Sequence, residues 1–209
     1  MIGILGGTFD PVHFGHLRTA QQVYQQLSLE RVIFVPAADP PHRPSPVASI
    51  EHRIRMLQLV LPMYAGFELD DRERRLGGIS YTVRTLESFR DELGDYSLGL
   101  IMGADAFAGF ETWHRWQHIL DLAHIVVMNR PGFSVSALPE WAQARTTDDI
   151  DLLRNSAGGR IYFLAVEPEA ISATDIRMAL ARNESVEGRV PDAVIEYIKS
   201  NDLYKQVSK

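Results

Sequence analysis

The chain has 209 residues, enough for one sizeable hydrophobic core or a core with a small lid, and its 45% hydrophobic and 23% charged residues describe an ordinary globular protein. Its 21 basic and 27 acidic residues give a net charge of −6, which argues against nucleic-acid binding over an extended surface, because such binding needs a basic face to displace counterions. Cysteine is absent, which excludes disulfides, thiolate metal sites and thiol nucleophiles; with no leader and no apolar run long enough to span a bilayer, a cytoplasmic protein with no membrane partner is expected.

Residues 1–5 read as a buried strand, and residues 14–27 as a helix with Leu17, Ala20, Val23, Tyr24 and Leu27 at helical spacing. Between them lies Gly6-Gly7-Thr8-Phe9-Asp10-Pro11-Val12-His13-Phe14-Gly15-His16. Glycines after a strand let backbone approach an anion, and the start of a helix offers unpaired N–H groups and a positive dipole end. His13 and His16, three apart, share a face on a helical turn. Read locally, the segment is a phosphate site, a plain turn, or half of a metal site completed by Asp10.

Residues 31–35 form a second predicted strand. Residues 37–49, with Pro40, Pro41, Pro44 and Pro46, form a loop that carries His42 and Arg43. A helix is expected over 50–61, a strand over 67–69, and a helix over 81–92 that Ser80 would cap, with Tyr81 and Thr82 at its start. An apolar strand over 96–102 runs into Gly103-Ala104-Asp105, whose carboxylate can accept from ribose hydroxyls or cap the next helix. Residues 113–120 read as a helix starting at Trp113, and residues 123–128 as a strand ending at Asn129-Arg130-Pro131. Arg53 and Arg130 are weaker phosphate candidates. Residues 133–159 are polar and carry at most a short helix near 139–145. A strand over 160–164 and helices over 174–181 and 191–199 complete the chain.

Strands alternating with helices predict an α/β protein: a Rossmann-like, doubly wound parallel sheet with helices on both faces and a small C-terminal helical part. The glycine turn after the first strand then sits at the carboxyl edge of the sheet, where such folds bind ligands. The only lysines are Lys199, Lys205 and Lys209, so there is no P-loop and no body lysine for an adenylate or a Schiff base. Phosphate handling is left to arginine, histidine, backbone amides and a metal ion.

The unbroken string from Gly6 to His16 resembles the signature of the nucleotidyltransferase superfamily marked by a His-x-Gly-His motif. Ile171-Ser172-Ala173-Thr174-Asp175-Ile176-Arg177, locally a capped helix start, is similar to the motif that closes the active site in that superfamily. Over essentially the whole chain the resemblance is to bacterial nicotinate-nucleotide adenylyltransferases, which implies one nucleotidyltransferase domain over 1–209 with a helical segment from about 171.

The resemblance implies ATP and nicotinate mononucleotide as partners, Mg2+ entering with ATP, and deamido-NAD and pyrophosphate as products of NAD biosynthesis. It implies catalytic roles for His13, His16 and Arg177. ATP would be held by Gly7, Thr8, Phe9, His16, Gly103, Asp105, Ser172, Thr174 and Arg177. The mononucleotide would be held by His42, Arg43, Tyr81, Thr82, Trp113 and Arg130, with Trp113 stacked on the pyridine ring. No protein-held metal is implied. The alternatives are nicotinamide mononucleotide or phosphopantetheine as acceptor, a non-catalytic nucleotide-binding regulator, and a metal-dependent hydrolase built on Asp10, His13 and His16.

Overall fold

The computed structural model describes residues 1–41, 45–129 and 138–205. Six strands, β1 (Ile2–Gly7), β2 (Arg31–Pro36), β3 (Phe67–Leu69), β4 (Leu98–Gly103), β5 (His124–Asn129) and β6 (Ile161–Ala165), pair in the order β3-β2-β1-β4-β5-β6, all parallel. This is the doubly wound order, in which the chain reverses its direction of travel between β1 and β4.

The strands are buried on both faces, so they read as continuous apolar runs, and alternate residues feed two cores. Leu5, Phe34, Ile101 and Val126 point to one side. There they meet α1 (Phe14–Gln26), α2 (Ile50–Val60), α9 (Ala173–Ala181) and α10 (Asp192–Ser200) through Leu17, Leu57, Ile176 and Val194. Ile4, Val35, Met102 and Val127 point to the other side, covered by α4 (Thr82–Leu93), α5 (Ala104–Ala108) and α6 (Trp116–Leu122) through Leu86, Phe107 and Ile119. The C-terminal helices thus share a core with α1, the helix that carries the histidine pair. None of the described helices is long and apolar enough to cross a membrane.

Several expectations are corrected. Ser80 does not cap α4: Tyr81 takes that position without a side-chain cap, and Ser80 Oγ accepts instead from the Ala38 and Asp39 N–H groups at 2.9 Å each. The helix expected from Trp113 begins at Trp116, after a 3-10 turn over Phe110–Thr112, because Arg115 at φ 52° breaks the run. Three short helices are not expected from the sequence: α5 and two that are held by polar side chains. In α3 (Arg72–Leu76), Asp70 and Asp71 bind the arginines that follow them; in α8 (Ile150–Arg154), Asp149 accepts from the Asp151 and Leu152 N–H groups. The segment at 139–145 holds α7 (Glu140–Gln143).

Gly158 lies under the amino ends of β4 and β5, where a Cβ would come within 2.7 Å of the Ala123 backbone nitrogen. Overpacking of this kind costs about 1–3 kcal/mol, so Gly158→Ala is expected to lower Tm by roughly 2–12 °C. Because the site described below lies at the opposite edge of the sheet, KM values should not move. Thermal unfolding and steady-state kinetics check the two halves of this expectation.

Candidate active site

The loop after β1 is built by burial of polar groups. Asp10 is 3% exposed and Arg53, on α2, is 1% exposed. Buried charge is tolerated only where it is fully hydrogen-bonded. The Asp10 carboxylate accepts from Val47 N–H at 2.7 Å, Ala48 N–H at 3.0 Å and the Tyr204 hydroxyl at 2.7 Å. Arg53 donates to the carbonyls of Thr8 at 2.8 Å, Ala37 at 2.7 Å and Ala48 at 3.1 Å. Arg53, a weak phosphate candidate by sequence, is therefore a brace beneath the turn rather than a ligand. Its signal was available: it sits one turn before Leu57 on the buried stripe of α2.

The left-handed residue in the turn is Phe9, at φ 49°, not Gly6 or Gly7. Such a backbone costs of order 1–3 kcal/mol in a non-glycine residue and persists only where its surroundings impose it. Here Phe9 is buried, tilted against Phe34, and edge-on to His16 with 5.0 Å between ring centroids. Gly7 faces that ring: a Cβ there would lie 3.1 Å from it.

His13 is the N-cap of α1 in extended backbone, and its ring stacks on His16 with centroids 3.7 Å apart and planes 26° apart. Gly15 makes room for this. A Cβ at position 15 would sit 2.9 Å from the His13 ring and 3.3 Å from the Ile171 carbonyl. The amides of the first turn are less available than the sequence suggested, since Phe14 N–H donates to Arg189 O and His16 N–H to His13 O. An anion held here would therefore have to be met by the Gly7–Phe9 backbone and by side chains. Burial pushes the His13 pKa down to about 4, so its imidazole is neutral near pH 7, and its Nδ1 has no hydrogen-bond partner among the described residues.

The distant C-terminal motif comes to this turn along α1. Gln26 donates to Ala165 O, Gln22 exchanges hydrogen bonds with Glu167, and Arg18 pairs with Glu169 at 3.2 Å. Ser172 caps α9, accepting from Asp175 N–H and donating to its carboxylate, so its hydroxyl is already engaged. Arg177 donates to the Asp10 carbonyl at 2.7 Å and to Thr174 Oγ1 at 3.3 Å, which puts its guanidinium against the glycine turn. Gly103 and the exposed Asp105 lie at the carboxyl end of β4, next to β1 in the sheet.

A second cluster joins Tyr81, Thr82 and Trp113. The Tyr81 ring lies 4.3 Å from that of His114, and half-buried Trp113 packs on Phe110 with 5.6 Å between centroids. Trp141, which the sequence reading did not single out, backs this group by donating to Glu111 and lying 4.7 Å from Trp116. His42, Arg43 and Arg130 lie outside the described residues. A shallow cleft of about 560 Å³ opens at the amino edge of the sheet, lined by Arg145 and Arg160 among others and bordered by Trp141, which it shares with the Trp113 cluster.

No three His, Cys, Asp or Glu side chains gather as a metal cage among the described residues. Asp10, the carboxylate proposed for such a cage, is committed to two amides and a phenol, with Arg177 only 3.8 Å away.

The buried His13 predicts a pH-dependent stability. Unfolded, the imidazole titrates near its ordinary value; folded, it titrates at about 4. Between those values the unfolded chain takes up a proton that the folded one refuses. Stability is therefore complete above about pH 6.5 and falls by ~3 kcal/mol as the pH drops to about 4. His13→Asn is expected to flatten that slope in urea unfolding from pH 4 to 7. His124, whose pKa burial also lowers and whose Nδ1 accepts from Arg160 N–H, adds to the slope in both proteins. An identical slope in the variant would contradict the assignment.

The geometry agrees with three comparisons. A family profile described as cytidylyltransferase-like matches residues 4–179. A Methylococcus capsulatus protein named as a "probable nicotinate-nucleotide adenylyltransferase" is 47% identical over 98% of this chain and 99% of its own; a protein of the same name from Dechloromonas aromatica is 46% identical over 98% and 97%. Two structures of a Plasmodium falciparum nicotinic acid mononucleotide adenylyltransferase, one complexed with NaAD and one with APC, superpose with TM-scores of 0.72 and 0.71. Each is 16% identical and covers 97% of this chain and 96% of the other, a likeness that shows the shared fold. The chain belongs to the cytidylyltransferase-like family and, within it, to the nicotinate-nucleotide adenylyltransferases.

Proposed function

We propose that the protein transfers the adenylyl group of ATP to nicotinate mononucleotide, giving deamido-NAD and pyrophosphate. The observation that carries this reading is the contact between Arg177 and the glycine turn. It brings a cation to the same turn that carries the two stacked imidazoles and the Gly7–Phe9 backbone.

The reaction is a single in-line displacement. A 5′-phosphate oxygen of the mononucleotide forms a bond to the α-phosphorus, the bond from that phosphorus to the oxygen bridging to the β-phosphorus breaks, and pyrophosphate leaves with that electron pair. Both reactants are anions, so the protein's task is to hold them together and offset charge. His16, beside the turn, donates to an α-phosphate oxygen. His13, neutral at working pH, offers a single N–H and adds no charge of its own to the stacked pair. Arg177 binds the departing β- and γ-phosphates with a planar fork suited to paired oxygens. Mg2+ enters with ATP as part of the substrate and neutralises polyphosphate charge. It suits a site without a carboxylate cage, since this ion keeps much of its water and binds chiefly to phosphates.

The acceptor site is the second cluster. The α4 helix begins with no side-chain cap and no acidic residue in its first turn. Its free amides and dipole end favour the carboxylate of nicotinate over the neutral amide of nicotinamide. Trp113 supplies a ring face for the pyridine, and Asp105 a carboxylate for the ribose hydroxyls of ATP. His42 and Arg43, in the proline loop, and Arg130 complete the proposed phosphate contacts of the mononucleotide.

Two measurements test this. Pyrophosphate release should be far faster with nicotinate mononucleotide than with nicotinamide mononucleotide; equal rates would move the acceptor assignment. His16→Ala should lower kcat by ~10²–10³ with an unchanged circular-dichroism spectrum, as expected for loss of one transition-state donor. Near-normal turnover in that variant would remove His16 from the mechanism.

A further inference from the structure

The buried carboxylate of Asp10 faces two different demands. It must be satisfied by donors, and it must not capture the nearest cation, Arg177, whose work lies with phosphate. The distances show how the fold separates these. Arg177 Nη1 is 2.7 Å from the Asp10 carbonyl but 3.8 Å from Asp10 Oδ2. The carboxylate is filled by Val47 N–H, Ala48 N–H and, from the far end of the chain, the Tyr204 hydroxyl.

Tyr204 itself is 7% exposed, and burial together with the adjacent carboxylate raises its pKa, so it acts only as a donor. The short helix-flanked tail also reaches the turn at a second point, where Arg189 O accepts the first amide of α1. Tail and phosphate turn are therefore bonded at both the carboxylate and the helix start.

We propose that Tyr204 is a positioning residue for the polyphosphate: by saturating Asp10 Oδ1 it leaves Arg177 facing the substrate instead of closing onto the carboxylate. This deepens the function proposed above and rests on it for the role of Arg177. Remove the hydroxyl, and Oδ1 keeps a single donor. A buried carboxylate short of donors attracts the adjacent guanidinium strongly, because the interior screens little. Arg177 Nη1 already lies 3.8 Å from Asp10 Oδ2, so about 1 Å of movement completes a hydrogen-bonded ion pair.

Tyr204→Phe keeps the ring and its packing, and therefore the fold. Calorimetric binding of a non-hydrolysable ATP analogue, with no acceptor present, reads the effect apart from catalysis. We expect its Kd to rise about tenfold, in the range of coupling between residues that share a partner. Tyr197→Phe is the control. It deletes a comparable hydroxyl bond from α10, to His52 Nδ1 at 2.9 Å, away from the turn, and should lower Tm while leaving the Kd unchanged.

Arg177→Ala completes a double-mutant cycle. Alone it should weaken analogue binding, and in that background Tyr204→Phe should add nothing. If Arg177→Ala binds normally, the polyphosphate role of Arg177 fails. If Arg177→Ala weakens binding but Tyr204→Phe only lowers Tm, or adds its full effect in the Arg177→Ala background, the positioning role fails and Tyr204 is merely structural.

Discussion

The structure depends on a carboxylate and a guanidinium hidden beneath the loop that follows the first strand. Asp10 and Arg53 together bind segments from the turn itself, the return of the proline loop, the end of β2 and the chain's C-terminal tail. Neither side chain can be left short of partners inside a protein without a cost comparable to much of its net stability. The turn therefore has one conformation that satisfies everything at once, and Phe9 is held in a left-handed backbone as part of it. A loop tied from below in this way holds its upper face in one shape, as the proposed anion site requires.

That rigidity bears on the chemistry. With no lysine before Lys199 and no cysteine, the chain has no covalent route of the kinds those residues provide. The proposed in-line displacement needs neither; it calls for groups set in place beforehand, and preorganised donors act most strongly where they need not reorganise. Stacking a neutral His13 against His16 is one example: burial keeps the His13 imidazole uncharged near pH 7, so two rings 3.7 Å apart do not both carry charge. The C-terminal helices share a core with α1 and bring Arg177 to the same place from the other end of the sequence. Family membership and the doubly wound sheet place the whole arrangement at the edge where this fold class binds nucleotides.

Much of this could be read from the amino acids. Continuous apolar runs marked the strands, and helical spacing marked α1, α2 and α10, because burial on one face leaves a period that a sequence records. The motif from Gly6 to His16 was legible for the same reason: close packing of rings and backbone demands glycine at particular points, and Gly15, wedged between His13 and Ile171, shows it. What escaped reading was long-range polar pairing. Nothing near Tyr204 announces a partner 194 positions earlier. Arg53 reads as a weak phosphate candidate although its place on the buried stripe of α2 speaks otherwise, and Ser80 reads as a helix cap when its hydroxyl ties down the proline loop. The helices α3 and α8 are held by charged and capping side chains, and such short polar helices leave no apolar period to detect.

The central claim is that the turn after β1 and the Thr174–Arg177 segment hold a single polyphosphate between them. A crystal structure with a non-hydrolysable ATP analogue and Mg2+ tests it directly. Phosphate oxygens are expected within hydrogen-bond distance of the Gly7–Phe9 backbone, His16 and the Arg177 guanidinium together. An analogue whose phosphates lie elsewhere, for instance against Arg145 and Arg160 in the cleft at the opposite edge of the sheet, would contradict it.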